Sequence, residues 1–259
     1  MIRGAILDLG STLIYSENDH NWGALLPRMR ADLLAHLRTA GYDLDAQRFL
    51  NLFSAKYQEY DAQRQTDWVE YTTGWILTST LTELGSPAPP PALLQAAVRA
   101  YYAYSESLWH PMPAVYATLE TLRAGGLKLG LLSNAADDGN VQRLIDNAGL
   151  RRYFHPIVVS AAVGMRKPNP RIFQAVLEQW PLPPPEVVMI GDTLGADILG
   201  AQLAGLHNIW LTSHAGHPAN QAHRGNIIPE AEAATLAEVP AQIARLNDAS
   251  PARSDGPGH

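Results

Sequence analysis

Short apolar runs recur along the chain, and a polar residue follows several of them. The first run contains Ile2, Ala5, Ile6 and Leu7, lacks strict alternation, and ends at Asp8. The later runs are Leu127–Leu132, Ile157–Val159, Val187–Ile190 and His207–Leu211. Such runs are typical of parallel strands buried on both faces. Since amphipathic segments separate them, we predict an α/β fold with a doubly wound, Rossmann-like parallel sheet as its core.

Residues 16–110 show a different pattern. Four amphipathic stretches follow one another with no strand pattern between them: Trp22–Ala40, Leu44–Arg64, Trp68–Leu84 and Ala92–Trp109. We therefore predict a helical-bundle cap domain at 16–110, inserted into a core domain of residues 1–15 and 111–247. Its aromatic residues should form the bundle core, or alternatively a wall that faces a substrate. Residues 248–259 are predicted to form a disordered tail.

Composition narrows the class of protein. The 259 residues are 46% hydrophobic and 17% charged, carry a net charge of −6 and include no cysteine. The acidic balance argues against a nucleic-acid surface, and the lack of cysteine excludes disulfides and thiolate chemistry. No apolar run reaches the length of a membrane span, and no charged leader precedes the first strand. We therefore expect a cytoplasmic protein, monomeric or homodimeric, that binds neither membrane nor nucleic acid.

Polar residues cluster at the predicted carboxyl ends of the strands. Asp8, Ser133 and Asp192 each follow an apolar run, and Lys167 stands at the start of a helix after another run. These ends face one crevice in an open parallel sheet, so we expect the four side chains to converge. The two carboxylates suit magnesium, because it binds one or two carboxylates together with water and phosphate. Ser133, Asn134 and Lys167 suit the oxygens of a phosphate.

Two neighbouring segments complete the candidate site. Gly10, Ser11 and Thr12 are small enough for a sharp turn that brings the backbone close to an anion. The alternative is an ordinary turn in which the preceding aspartate only caps the backbone. Asp197 lies five residues after Asp192 and is expected to reach either the waters of a metal or Lys167.

These motifs resemble those of the haloacid dehalogenase superfamily, in the subgroup with a helical cap inserted after the first motif. The resemblance spans residues 1–247 and rests on Asp8-Leu-Gly-Ser-Thr, Leu132-Ser133-Asn134, Arg166-Lys167-Pro168 and Gly191-Asp192-Thr-Leu-Gly-Ala-Asp197 in that order. It implies that Asp8 attacks a small phosphorylated metabolite to form an aspartyl phosphate, while Ser133 and Lys167 bind the transferring group. It also implies that Asp8, Asp192 and the backbone carbonyl of Gly10 hold magnesium.

Gly10 is a departure from the phosphatases of this family, which carry a second aspartate there as acid and base. General acid–base catalysis contributes about 10²–10⁴-fold, so we do not expect efficient hydrolysis of ordinary alkyl phosphates. Three interpretations stay open. The chain hydrolyses esters with good leaving groups, borrows an acid from Glu17-Asn18-Asp19-His20, or is a weak or inactive relative that binds a phosphorylated ligand.

Two other branches of the family also lack that aspartate. The dehalogenases need no metal, whereas Gly191-Asp192 favours one here. The phosphonatases use a cap lysine as a Schiff base, and Lys56 is the only lysine in the predicted cap. The polar helical stretch around Lys56 predicts instead a solvated side chain.

Further histidines and arginines are weaker candidates. His214, His217 and His223 are not spaced as metal ligands on a helix, so an exposed loop is favoured over a second metal site. The sequence also offers cap arginines as contacts for a substrate anion: Arg28, Arg30 and Arg64.

Overall fold

The structure is a computed structural model that describes residues 1–17 and 22–249. Its strands are β1 (Gly4–Leu7), β2 (Ile14–Ser16), β3 (Trp109–Pro111), β4 (Lys128–Ser133), β5 (Ile157–Val159), β6 (Val187–Gly191), β7 (His207–Leu211) and β8 (Ala231–Ala233). Six of them form one sheet in the order β5-β4-β1-β6-β7-β8, and all neighbours in it are parallel. The prediction of a doubly wound parallel sheet is confirmed.

Helices cover both faces of this sheet and fill the segment between β2 and β3. They are α1 (Trp22–Thr39), α2 (Ala46–Asp67), α3 (Thr73–Glu83), α4 (Pro91–Glu106), α5 (Val115–Ala124), α6 (Asp138–Asn147), α7 (Ser160–Val163), α8 (Pro170–Leu177), α9 (Leu199–Ala204), α10 (Pro218–Gln221) and α11 (Val239–Ala249). None of the helices described is long and apolar enough to span a membrane.

Strand β1 lies at the centre of the sheet, between β4 and β6. Its side chains alternate between the two apolar clusters that flank the sheet: Ala5 and Leu7 join one, and Ile6 joins the other. This double burial explains the uninterrupted apolar run in the sequence. The strand order reverses beside β1, so the carboxyl ends of β1, β4 and β6 border one crevice.

The four helices α1–α4 pack around an apolar core of their own. Phe49, Phe53 and Tyr101 are almost fully buried there, and the rings of Phe53 and Tyr101 meet edge to face at 5.8 Å. The chain enters this bundle after β2 and returns through β3, and the two strands pair antiparallel. Most of the aromatic residues therefore serve the bundle core, while the predicted boundaries of the cap domain stay a prediction.

The ends of several elements differ from the predicted ones. Helix α2 continues to Asp67, and Trp68 follows with a φ of 56°, so residues 68–72 form a loop instead of the start of α3. Thr72 then caps α3 by accepting a hydrogen bond from the backbone of Trp75 at 3.1 Å. Helix α11 runs two residues past the predicted boundary at 247. The rest of the predicted tail, and Asn18-Asp19-His20, lie outside the described residues.

Candidate active site

Four buried charged side chains meet at the carboxyl edge of the sheet, and we call them the sheet-edge cluster: Asp8, Asp192, Asp197 and Lys167. The ammonium of Lys167 lies 2.7 Å from Asp8 Oδ1 and 2.6 Å from Asp197 Oδ1. It also donates to the backbone carbonyl of Leu132 at 2.8 Å. The three carboxylates bring one oxygen each to within 4.8 Å of one another. The ends of β1 and β6 thus bring Asp8 and Asp192 together, as expected from a parallel sheet, and Lys167 joins them.

Asp197 is positioned by an irregular helical turn. The five residues Leu194–Ile198 form a π-helical turn before α9. Asp197 Oδ2 accepts the backbone N–H of Thr193 at 2.9 Å, while Oδ1 faces Lys167. A Cβ atom at Gly191 would overlap the Asp197 carboxylate, so this position must be glycine for Asp197 to close on the lysine. Of the two predicted alternatives, the structure shows the ion pair with Lys167.

The side chain of Asn134 is bonded to the backbone of Lys167, and its predicted phosphate contact stays a prediction. Its side-chain amide donates to the carbonyl of Lys167 at 2.9 Å, and its Oδ1 accepts the N–H of Lys167 at 2.8 Å. Both polar atoms are thus used to hold the backbone that carries Lys167. Ser133, at the end of β4, lines the cavity above the cluster with 5% of its surface exposed. Ser133 is thus part of the cavity wall, whereas the Asn134 side chain supports the backbone of Lys167.

Burial and mutual repulsion set the protonation of the carboxylates. Burial raises the pKa of Asp192 to about 8, with further contributions from Asp8 and Asp197. Burial likewise raises the pKa of Asp8 to about 6, against the opposing charge of Lys167. Burial lowers the pKa of Lys167, but Asp197 and Asp8 outweigh it and the net shift is upward. One ammonium faces three carboxylates, so the cluster lacks positive charge, and its oxygen donors suit a hard divalent cation.

The turn after Asp8 is tight. Leu13 and Ile14 both donate to the carbonyl of Leu9, at 2.8 Å and 3.1 Å. Ser11 adopts a left-handed φ of 58° and lines the cavity, whereas Thr12 is fully buried and is not among the residues of the cavity wall. The predicted phosphate contact is therefore available to Ser11 but not to the Thr12 side chain as it stands.

Gly10 faces an aromatic ring. A Cβ atom built on Gly10 would lie 3.5 Å from Trp109 Cη2, which is an ordinary van der Waals distance. Trp109 is the first residue of β3 and lines the cavity. No individual role was predicted for Trp109, because only the pairing of β2 with β3 brings it back beside residue 10. The available signal in the sequence was that Trp109 lies at the point where the chain leaves the helical segment and returns to the core.

The histidine loop is only partly exposed. His217 is exposed as expected, but the His214 side chain is 15% exposed and its Nδ1 lies 3.8 Å from Asp192 Oδ2. Asn220, which the sequence analysis passed over, is buried and donates to the carbonyls of Asp192 and His214 at 2.9 Å and 3.0 Å. Its Oδ1 accepts the N–H of Leu194 at 2.8 Å. The loop thereby holds the backbone from the carbonyl of Asp192 to the N–H of Leu194.

A buried carboxylate joins the loop at residues 68–72 to the sheet. The side chain of Glu70 is 1% exposed and lies 3.2 Å from Arg64 and 3.8 Å from Arg166. The Ser160 hydroxyl donates to Glu70 Oε2 at 2.7 Å. Arg166 precedes Lys167 and lines the cavity. Glu70 was missed because a single glutamate between two helices normally signals a solvated loop.

The cavity above the sheet-edge cluster measures about 390 Å³. None of the cap residues proposed from sequence as substrate contacts is among its lining residues. Arg28 pairs with Asp32, Arg64 with Asp61 and Glu70, and Lys56 with Glu83 at 2.7 Å. The expectation of a solvated Lys56 was wrong, since its side chain is 12% exposed. The hydrogen bond to Glu83 raises the pKa of Lys56, which disfavours the neutral amine that a Schiff base needs.

Comparisons with known proteins agree with this geometry. The family model described as "Haloacid dehalogenase-like hydrolase" matches residues 45–211. Glyceraldehyde 3-phosphate phosphatase of Methanopyrus kandleri is 31% identical over 206 residues, which are 80% of this chain and 82% of that protein. The chain belongs to the haloacid dehalogenase-like hydrolase family.

Two further similarities are informative about this hydrolase. Pyrimidine 5'-nucleotidase YjjG of Escherichia coli is 35% identical over 167 residues, covering 61% of this chain and 71% of that protein. A crystal structure of 2-haloacid dehalogenase from Pseudomonas syringae pv. Tomato DC3000 superposes with a TM-score of 0.66 at 24% identity, covering 95% of this chain and 99% of that one. At that identity the structural similarity supports the fold alone.

Proposed function

We propose that this hydrolase cleaves the phosphate ester of a small metabolite through an aspartyl phosphate on Asp8, with magnesium as its cofactor. The observation that carries the proposal is the sheet-edge cluster, in which a buried carboxylate, an ammonium and two further carboxylates line one cavity. The relatives named above include a glyceraldehyde 3-phosphate phosphatase and a pyrimidine 5'-nucleotidase. The chain is a phosphatase-type hydrolase of this family.

Asp8 is the proposed nucleophile. In the first step a carboxylate oxygen of Asp8 attacks phosphorus, the bond from phosphorus to the ester oxygen breaks, and the departing oxygen leaves as an anion that solvent protonates. In the second step water attacks phosphorus, inorganic phosphate leaves and the carboxylate is restored. Lys167, which lies 2.7 Å from Asp8 Oδ1, is proposed to neutralise charge on the transferring group together with the Ser133 hydroxyl.

The proposed metal ligands are Asp8, Asp192 and the backbone carbonyl of Gly10. Bound there, magnesium would offset the negative charge of the cluster and of the phosphoryl group. Asp197 is proposed to hold Lys167 in place, since both of its oxygens already have partners. The raised pKa of Asp192 supports the assignment, because a carboxyl buried beside two others lacks compensating positive charge.

The test of the proposed function is phosphate release from a panel of phosphorylated metabolites, in magnesium and in EDTA. We expect release that requires magnesium, and calorimetric titration should show magnesium binding largely lost in Asp192→Asn. Asp146→Asn is the matched control, because Asp146 is an exposed carboxylate paired with Arg151 outside the cavity. Equal magnesium affinity in the Asp192→Asn variant would refute the metal assignment. A folded protein that binds phosphorylated ligands without releasing phosphate would favour the binding-protein interpretation.

A further inference from the structure

One wall of the cavity is apolar although the floor is charged. The wall comprises Ile14, Trp109, Val141 and Leu144, which come from β2, β3 and α6, and we call it the apolar wall. Three of these side chains are at most 5% exposed, while Trp109 is half-buried and presents its indole ring toward Gly10. A substrate held on the cluster therefore meets a flat aromatic surface beside the residue two positions after Asp8.

A side chain at residue 10 would point toward the indole ring of Trp109 and make van der Waals contact with it. Gly10 itself offers no acid, and the indole ring lies 3.5 Å from the position of its absent Cβ. An indole N–H does not transfer its proton at neutral pH, so neither residue protonates a departing oxygen. This side of the site suits a leaving group that departs as a stable anion.

The four charged residues of the sheet-edge cluster, which line the cavity, already have partners. Lys167 contacts Asp8 and Asp197, and Asp192 lies against His214. His217 accepts the N–H of Ala219 through Nδ1 at 3.3 Å, which leaves Nε2 protonated in the neutral ring, as a hydrogen-bond donor.

We infer that the substrates are phosphate monoesters of acidic hydroxyl groups carried on a planar ring, with the ring against Trp109. This inference rests on the proposed function and narrows its substrate class. A phenol-type oxygen leaves as an anion without needing a proton, and an aromatic ring packs on an indole face with offset or edge-to-face geometry. The cavity of about 390 Å³ is near the small end for ligand sites, which suits a single ring and its phosphate.

The test is a series of aryl phosphates of graded leaving-group acidity, with glycerol phosphate and acetyl phosphate beside them. Acetyl phosphate has a good leaving group but no ring, so it separates the two parts of the inference. We expect kcat/KM to fall steeply as the leaving group becomes less acidic. Glycerol phosphate should be at least about 100-fold below the best aryl ester, the low end of what a missing general acid costs.

Trp109 is tested with matched variants. Trp109→Leu should raise KM for aryl phosphates by about two- to tenfold, the range of an aromatic contact, and change acetyl phosphate little. Trp109→Phe keeps a ring and should retain most of the wild-type KM. Trp75→Leu is the control, since Trp75 is 45% exposed on α3 and does not line the cavity. Melting temperatures show whether each variant folds.

The outcomes separate this inference from the proposed function. If glycerol phosphate is cleaved within about threefold of the aryl esters, another group supplies the proton and the inference is wrong, while the phosphatase stands. If Trp109→Leu changes KM equally for aryl and acetyl phosphates, the ring contact is refuted. If no ester and no acyl phosphate releases phosphate, the proposed function fails and the inference fails with it.

Discussion

The sheet-edge cluster and the apolar wall border the same cavity but depend on the sequence in different ways. Asp8 and Asp192 directly follow the central strands β1 and β6, and Lys167 joins Asp8 to Asp197 by ion pairs within the cluster. The apolar wall is assembled from the β2–β3 ribbon and α6, which are distant in sequence. The proposed chemistry thus belongs to the sheet edge, whereas the proposed selectivity belongs to the place where the helical segment rejoins the sheet.

The largest expected effect comes from breaking the cluster at its nucleophile. Asp8→Asn should lower phosphate release by at least about a thousandfold, because the attacking carboxylate is lost while the cavity is kept. Release of inorganic phosphate in magnesium is the measurement, with Asp146→Asn as control. Activity within tenfold of wild type would show that the cluster does not carry the reaction.

The docking of the 68–72 loop should contribute strongly to stability. Glu70→Gln leaves Arg64 and Arg166 without a buried counter-charge, and breaking such a pair costs about 3 kcal/mol in the free energy of unfolding. Urea denaturation measures the loss. Glu83→Gln is the matched control, since Glu83 is 55% exposed and its pair with Lys56 should contribute less than about 1 kcal/mol. Equal losses in the two variants would mean that the Glu70 contact is no more than a surface pair.

Gly10→Asp adds a carboxylic acid beside Trp109, the aromatic residue of the apolar wall. The backbone of Gly10 does not require glycine, because its φ lies outside the left-handed region and its Cβ would make an ordinary contact. Turnover of alkyl phosphates should rise by about tenfold, toward the lower end of general acid catalysis, and aryl phosphates should gain less. Steady-state kinetics measures both. A folded variant with intact magnesium affinity and no gain on either ester would show that the missing acid does not limit this site.

The smallest expected effect is a pH dependence of the metal-free protein. The pKa of Asp192 is about 8 in the folded state, against an ordinary value of 3.8. The folded protein therefore holds a proton that the unfolded chain has lost, and stability falls as the pH rises toward 8. Asp8, with a pKa of about 6, contributes with the same sign at lower pH. In EDTA the melting temperature should drop by about 3 °C or more between about pH 6.5 and about pH 8.

The control for this pH dependence is Asp192→Asn, which cannot ionise at that position. Its melting temperature should change less than that of wild type over the same range, and magnesium should reduce the change in wild type. Identical slopes in the two proteins would mean that Asp192 is already ionised in the metal-free state.

The difference between the sheet-edge cluster and the apolar wall also explains which site residues could be predicted from the sequence. Asp8, Ser133, Lys167 and Asp192 were found because strand ends of a parallel sheet share one edge, a rule that needs no side-chain detail. Trp109 was not found, because its position beside residue 10 depends on the antiparallel pairing of β2 with β3. Three further residues support the site, and sequence spacing does not predict their contacts: Asn134, Asn220 and Glu70. Only the structure shows which backbone groups the two amides hold and which side chains the buried carboxylate contacts.

The most direct test of the account is the covalent intermediate. The protein should be mixed with magnesium and an aryl phosphate, quenched in acid within the first turnover, and analysed by peptide mass spectrometry. We predict the mass of one phosphoryl group on the peptide that contains Asp8, and its absence in Asp8→Asn. The intermediate should accumulate in wild type, because Gly10 offers no base to activate the water that attacks phosphorus in the second step. Phosphate release without modification of Asp8, or a phosphoryl group on another residue, would contradict the account.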